Sequence, residues 1–320
     1  MFKKFVLVCV SVVFVNCKSD VKEVKEDNNL QAELEYKAQA VLGEGAFWNY
    51  KTQELYWIDI DSKRFNIYNP KTKTNKFLET PSKIGTVVPV NDTIVLAALE
   101  DGVYKMNINS GTSTLFTGMK EDLFESRLND GKCDPAGRFW VGSMHNQYET
   151  GKANLYSINS DSLLVKKIDS VTISNGIVWT SDTKTMYYID TPTSQIRAYD
   201  YNNETGDITN ARVAVQIPES LGMPDGMSID EENMLWVGMW NGNAVIRFNP
   251  ITGKVDRKVN VPAHNITSCA FGGKNLDTLY ITSARTDMTD DELKKYPLSG
   301  SVFKVVPGVK GVKSHFFKEK

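Results

Sequence analysis

Histidine is nearly missing from this chain of 320 residues: His145, His264 and His315 are the three that occur. A serine–histidine nucleophile therefore has little to draw on, and no Gly-x-Ser-x-Gly elbow is present to carry one. The His-Glu-x-x-His zinc motif, the P-loop and the glycine fingerprint of dinucleotide sites are also missing, which removes three common enzyme classes. Cysteine is scarce as well, with four in all. Cys9 and Cys17 fall in the N-terminal segment, and the spacing of Cys133 and Cys269 demands no bond, so two separate buried thiols are expected. A net charge of −2, a pI near 6.0 and no run of Lys or Arg argue against nucleic acid as a partner. Long amphipathic helical stretches are few. The longest apolar run, Phe5–Val15, is too short for the about 20 residues that a bilayer crossing needs.

That run does fit a signal-peptide core, preceded by Lys3-Lys4 and ending in Phe14-Val15-Asn16-Cys17. The ending resembles a bacterial lipoprotein signal, in which the cysteine becomes the lipidated first residue of the mature chain. Asn16 departs from the small residue usual there. The expected organisation is a leader over 1–16, a lipid anchor at Cys17, a polar tether over 17–35 and a folded domain over 36–320. The protein is accordingly expected to be exported, to the periplasm or outer surface of a bacterium, and to touch the membrane through its anchor alone.

What the chain has in quantity is aromatic and β-branched strand. Leu55-Tyr56-Trp57-Ile58, Ile94-Val95-Leu96-Ala97, Phe139-Trp140-Val141-Gly142, Met186-Tyr187-Tyr188-Ile189, Leu235-Trp236-Val237-Gly238 and Leu279-Tyr280-Ile281-Thr282 recur at steps of 39, 45, 47, 49 and 44 residues. A second strand follows each, often closed by Asn-Pro, Asn-Ser-Gly or Glu-Thr-Gly turn chemistry. Units of this length, each with several short strands, cannot bury both faces of their own sheet and must stack on neighbours. The expected fold is all-β: a six-bladed β-propeller, here with a central metal site.

Counting back from the aromatic strands exposes a second regularity. Asp225-Gly226 lies ten residues before Leu235, Asn175-Gly176 eleven before Met186, Asn129-Asp130-Gly131 ten before Phe139, and Glu44-Gly45 eleven before Leu55. A single Asn-Gly or Asp-Gly is ordinarily a tight turn. At a shared phase of a propeller, equivalent residues converge around the axis, so Glu44, Asn129, Asn175 and Asp225 are expected to face one another. Two carboxylates that close repel unless a cation holds them. Their oxygens suit Ca²⁺, Mg²⁺ or Mn²⁺, with Zn²⁺ the less fitting choice for want of His or Cys.

The stretches Gly43–Trp48, Arg127–Met144, Ile173–Asp182, Met223–Asp230 and Thr267–Gly273, in this order, resemble the SMP-30/gluconolactonase/regucalcin family. The resemblance runs from about Ala38 to Gly311. It implies one divalent metal held by Glu44, Asn175 and Asp225, with Asp225 also the general acid/base. It implies substrate contacts from Arg127 and Asn129, moving Asn129 from ligand towards substrate. Gln147 stands at the spacing where regucalcin-like members carry a substrate-touching Glu, and Ala46 replaces a usual Pro. Trp240 and Asn241 follow the fifth aromatic strand, where they line the pocket or pack its rim; His145 follows the third, where a structural role is expected. The implied activity is metal-dependent hydrolysis of a sugar lactone, a small-molecule substrate, by a monomer or weak homo-oligomer: a metal polarises the carbonyl and activates water, while Arg127 holds hydroxyls or developing negative charge. Two alternatives stay open. One is a phosphotriesterase or aryl-ester lactonase on the same metal propeller, and the other a non-catalytic calcium- or sugar-binding surface protein.

Overall fold

A computed structural model describes residues 29–119, 123 and 125–320. The expected leader and the expected anchor residue, Cys17, lie outside the described residues. Within them six sheets form, antiparallel but for one edge strand, and five of them take four strands consecutively from the chain. The first blade is Gly43–Asn49, Glu54–Asp59, Arg64–Asn69 and Thr74–Glu79. The aromatic strands of the sequence are the second strand of each blade, as in Glu54–Asp59 here and Leu235–Trp240 in the fifth. The expected six-bladed propeller is what forms.

The blades stack through six apolar clusters, each drawn from two neighbouring blades. Tyr187, Ile189 and Ile196 of the fourth blade, for example, pack on Met227, Leu235 and Val237 of the fifth. This is why both faces of the aromatic strands are apolar: each face belongs to a different interface between blades. Trp140 and Trp236 are completely buried, and each indole N–H donates to a buried carboxylate six residues earlier, Asp134 or Asp230, at 2.8 Å. The polar edge of the ring is thereby satisfied without loss of packing. Cys133 and Cys269 are buried free thiols.

The sixth blade is completed by non-consecutive chain. Its inner strands are Asn265–Gly272, Thr278–Ala284 and Val302–Val305, and its outermost strand is Glu33–Tyr36 from the N-terminal side. Asn29–Gln31 pairs in parallel with Lys254–Asn260 and adds a fifth strand to the fifth blade. The tether expected over 17–35 therefore stops short: residues 29–35 contribute to sheet edges. Four of these residues carry amide or carboxylate side chains and one of them, Glu33, is exposed, which suits an outermost strand and is why composition reads the segment as tether. At the other end of the chain, Phe317 is buried beside Phe116, and its N–H donates to Pro89 O at 2.8 Å. The C-terminal segment thus fastens the second blade to the rest of the ring on the face opposite the carboxylates.

Candidate active site

In all six blades the innermost strand departs from regular pairing at the same level. The shifts fall between Glu44 and Phe47, Ile84 and Thr86, Leu128 and Gly131, Asn175 and Ile177, Pro224 and Met227, and Ile266 and Cys269. The phase seen in the sequence is thus an irregularity within a strand, not a turn. A bulge bends the strand and re-aims a side chain, here towards the axis. Glycine follows because successive inner strands nearly touch. A Cβ on Gly176 would lie 2.8 Å from the Asp225 carbonyl oxygen, and one on Gly226 would lie 2.5 Å from Ser268 Oγ.

The four polar residues meet as the sequence expects. An Arg127 Nη1 donates to Asn129 Oδ1 at 2.7 Å and to Leu128 O at 3.0 Å. Asn129 Nδ2 donates to Ser174 O at 2.7 Å and to Asn175 Oδ1 at 2.9 Å. Asn175 Nδ2 donates to Thr191 Oγ1 at 2.7 Å, and that hydroxyl donates to Pro224 O at 2.8 Å. One aligned chain of hydrogen bonds therefore runs from the third blade to the fifth. It fixes the Asn175 amide at both ends and leaves its carbonyl oxygen one further lone pair.

Glu44 and Asp225 close the floor, their two carboxyls in hydrogen-bond contact with each other. Burial, then the charge of Asp130, push the Glu44 carboxyl up to about 8, against hydrogen bonds from Gly45 N and with Asp225 and against the charge of Arg127. Burial first, then the charges of Glu44 and Asp130, hold Asp225 well above the ordinary carboxylate range. Asp225 Oδ1 is buried without a hydrogen-bond partner, as is Asp130 Oδ2. Three acidic groups thus crowd the floor, with Arg127 acting on Glu44 and Lys132 on Asp130. Among the described residues no three His, Cys, Asp or Glu side chains converge as a metal-holding group. The donors on hand are two carboxylates and amide oxygen, hard ligands that fit an oxygen-preferring divalent ion.

Above this floor opens a cavity of about 270 Å³, lined from the first, third, fourth, fifth and sixth blades. Glu44, Arg127, Asn129, Asn175, Asp225 and Trp240 all line it. Gln147 is exposed and is not among the lining residues; its neighbour Tyr148 is. Asn241 likewise does not line the cavity; its N–H donates to Asn265 Oδ1 at 3.3 Å. His145 is buried, with its Nδ1 accepting from Gln147 N, a structural placement. Sequence reasoning passed over Thr191, Tyr148, Thr286 and Asp287, all of which line the cavity. Thr191-Pro192 directly follows the fourth aromatic strand, a signal that was available. Tyr148 and Asp287 sit in loops with no periodicity to betray them.

Fold and site together define a six-bladed propeller with an acidic pocket on its axis. The family model described as SMP-30/Gluconolactonase/LRE-like region matches residues 42–285, and the chain belongs to this family. It is 38% identical over 275 residues to YvrE of Bacillus subtilis (strain 168), a protein whose name proposes a sugar lactone lactonase; the match spans 86% of this chain and 94% of that one. It is 36% identical to regucalcin of Xenopus laevis, over 85% of this chain and 93% of the relative. The crystal structure of regucalcin from Agrobacterium tumefaciens, described as a calcium-binding protein, superposes with a TM-score of 0.86 at 26% identity, covering 91% of this chain and 98% of that one.

Proposed function

We propose that the protein is a divalent-metal-dependent hydrolase of lactones, with sugar lactones the class suggested by its relatives' names. The observation that carries this reading is the pair of carboxylates, partly buried Glu44 and buried Asp225, that face one open chamber with Arg127 as the basic residue on its wall. Glu44, Asn175 and Asp225 would hold the ion, and Asn129, hydrogen-bonded to Asn175, adjoins it. A bound divalent ion supplies Lewis acidity for the lactone carbonyl and lowers the pKa of water.

The chain's own residues account for the remaining chemistry. In hydrolysis, water adds to the carbonyl carbon, the bond from that carbon to the ring oxygen breaks, and the ring oxygen takes up a proton to give the hydroxy acid. Asp225 is the group placed to accept the proton of the attacking water and return it to the leaving oxygen. Arg127 lies above the floor, buried and pinned by Leu128 O and Asn129 Oδ1, so its guanidinium is oriented before substrate arrives. It can donate to a substrate oxygen or to negative charge developing on it.

The reading is tested by following proton release from a panel of aldonolactones and simple lactones. The protein is first stripped with chelator, and Ca²⁺, Mg²⁺, Mn²⁺ and Zn²⁺ are added back singly. Turnover that depends on one or more of these ions is the expected result. Tight ion binding with no lactone turned over would sink the enzyme reading and leave a binding protein.

The hydrogen-bond chain makes a separate prediction. Thr191 touches no substrate in this scheme; it fixes the amide of Asn175. Thr191→Val keeps the shape and leaves Asn175 Nδ2 without its acceptor. By analogy with groups that orient metal ligands, apparent ion affinity should fall about 10- to 100-fold, and Thr191→Ser should restore most of it. Calorimetric titration of the ion reads this directly, and equal affinity in the valine variant would remove Thr191 from the scheme.

A further inference from the structure

Side chains two residues apart on a strand share a face. Two residues before Glu44, Asn129, Asn175 and Asp225 stand Leu42, Arg127, Ile173 and Met223, and all four line the cavity. The ring of side chains above the acidic floor is therefore one arginine and three apolar groups. The wall beyond stays apolar on most sides, through Ile60, Met144 and Trp240.

The apolar positions are held by a repeated device. In the first blade the Asp59 carboxylate accepts from Val41 N at 3.1 Å and Leu42 N at 3.0 Å. In the fourth, Asp190 accepts from Thr172 N at 3.2 Å and Ile173 N at 2.9 Å. Each aspartate ends its blade's aromatic strand and clamps the backbone that presents Leu42 or Ile173. These side chains consequently stand on rigid support.

Polar groups able to receive a substrate hydroxyl are correspondingly few. Both N–H groups of Asn129 are committed to Ser174 O and Asn175 Oδ1, and the Thr191 hydroxyl is committed to Asn175 and Pro224. What remains is Arg127 on one side and, further out, Tyr148, Thr286 and Asp287. A hydroxyl turned against Leu42, Ile173 or Met223 would lose its water and gain no partner, a penalty of about tenfold or more in affinity.

We infer that the preferred substrate is a lactone with one oxygenated edge and one apolar arm: a deoxygenated sugar lactone or an alkyl-substituted lactone, its oxygens towards Arg127 and its methyl or alkyl group against Leu42, Ile173 and Met223. The inference rests on the lactonase reading above and narrows it.

The experiment compares kcat/KM of the metal-loaded protein across matched lactones: a fully hydroxylated hexono-1,4-lactone, its 6-deoxy counterpart, and γ-lactones bearing alkyl chains of increasing length. The 6-deoxy compound should exceed its hydroxylated partner by about tenfold. Each added methylene should raise kcat/KM by about threefold to fourfold until the wall is filled. Met223 is 41% exposed, so Met223→Gln is compatible with the fold, and it should narrow the gap between the deoxygenated and hydroxylated substrates. A hydroxylated lactone turned over as well as, or better than, its deoxy counterpart overturns this inference while lactone hydrolysis stands. Failure to hydrolyse any member with any of the four ions overturns the lactonase reading and this inference together.

Discussion

Asparagine at Asp225 is expected to lower lactone hydrolysis by at least about 10³-fold, the scale on which general acid–base catalysis and charge stabilisation act. The substitution keeps the shape of the side chain and removes its charge and its ability to hold a proton. In the proposed scheme two functions then disappear together, one carboxylate from the ion's ligands and the group that moves the proton. The same change should raise the thermal stability of the metal-free protein. Asp225 is buried, its Oδ1 has no partner, and the charges of Glu44 and Asp130 oppose its own. Relieving that conflict stabilises, as commonly happens when a functional site is neutralised. Loss of activity with a gain in Tm separates this outcome from simple misfolding. Initial rates and calorimetric scans on the same preparation measure both. An asparagine variant retaining a tenth of the activity would take Asp225 out of the chemistry.

The carboxylates and amides could be read from the sequence because their placement is local. An oxygen-bearing residue, a nearby glycine and an aromatic strand ten or eleven residues on are all set within one blade, and the blade repeats. The structure adds the reason: the innermost strand of every blade breaks register at that level. Closure of the ring was not legible, since it depends on Glu33–Tyr36 finding Val302–Val305 nearly the whole chain away. Two glutamates, an exposed leucine and a tyrosine carry no local mark of that pairing. The relay from Arg127 through Asn129 and Asn175 to Thr191 spans separate blades, and no spacing along the chain encodes a contact of that kind. The wall was hidden for a different reason. Leu42, Ile173 and Met223 look like ordinary strand residues until the ring places them around one chamber.

The second large effect concerns pH and the ion together. In the folded, metal-free protein the Glu44 carboxyl is pushed from its ordinary 4.5 up to about 8, by burial and then by the charge of Asp130. Asp225 is shifted in the same direction. A carboxyl whose folded pKa is raised favours the folded state below its unfolded pKa. That contribution is lost as pH rises towards the folded value. Between about pH 5 and pH 8 the metal-free protein should therefore lose stability with every step upward, at about 2–4 °C of Tm per kcal/mol for a domain of this kind. A divalent ion binds the deprotonated carboxylates, so rising pH strengthens its binding while it weakens the empty site. At a concentration of 100 times its Kd the ion adds about 2.7 kcal/mol. The Tm curves with ion and with chelator should accordingly diverge as pH increases, the chelated one falling. In Asp225→Asn the fall should be shallower, because one of the two carboxyls held above the ordinary range no longer titrates. Parallel curves in the unsubstituted protein would mean that the ion does not sit on these two groups. Divergence that persists undiminished in Asp225→Asn would place the titrating pair elsewhere in the ring.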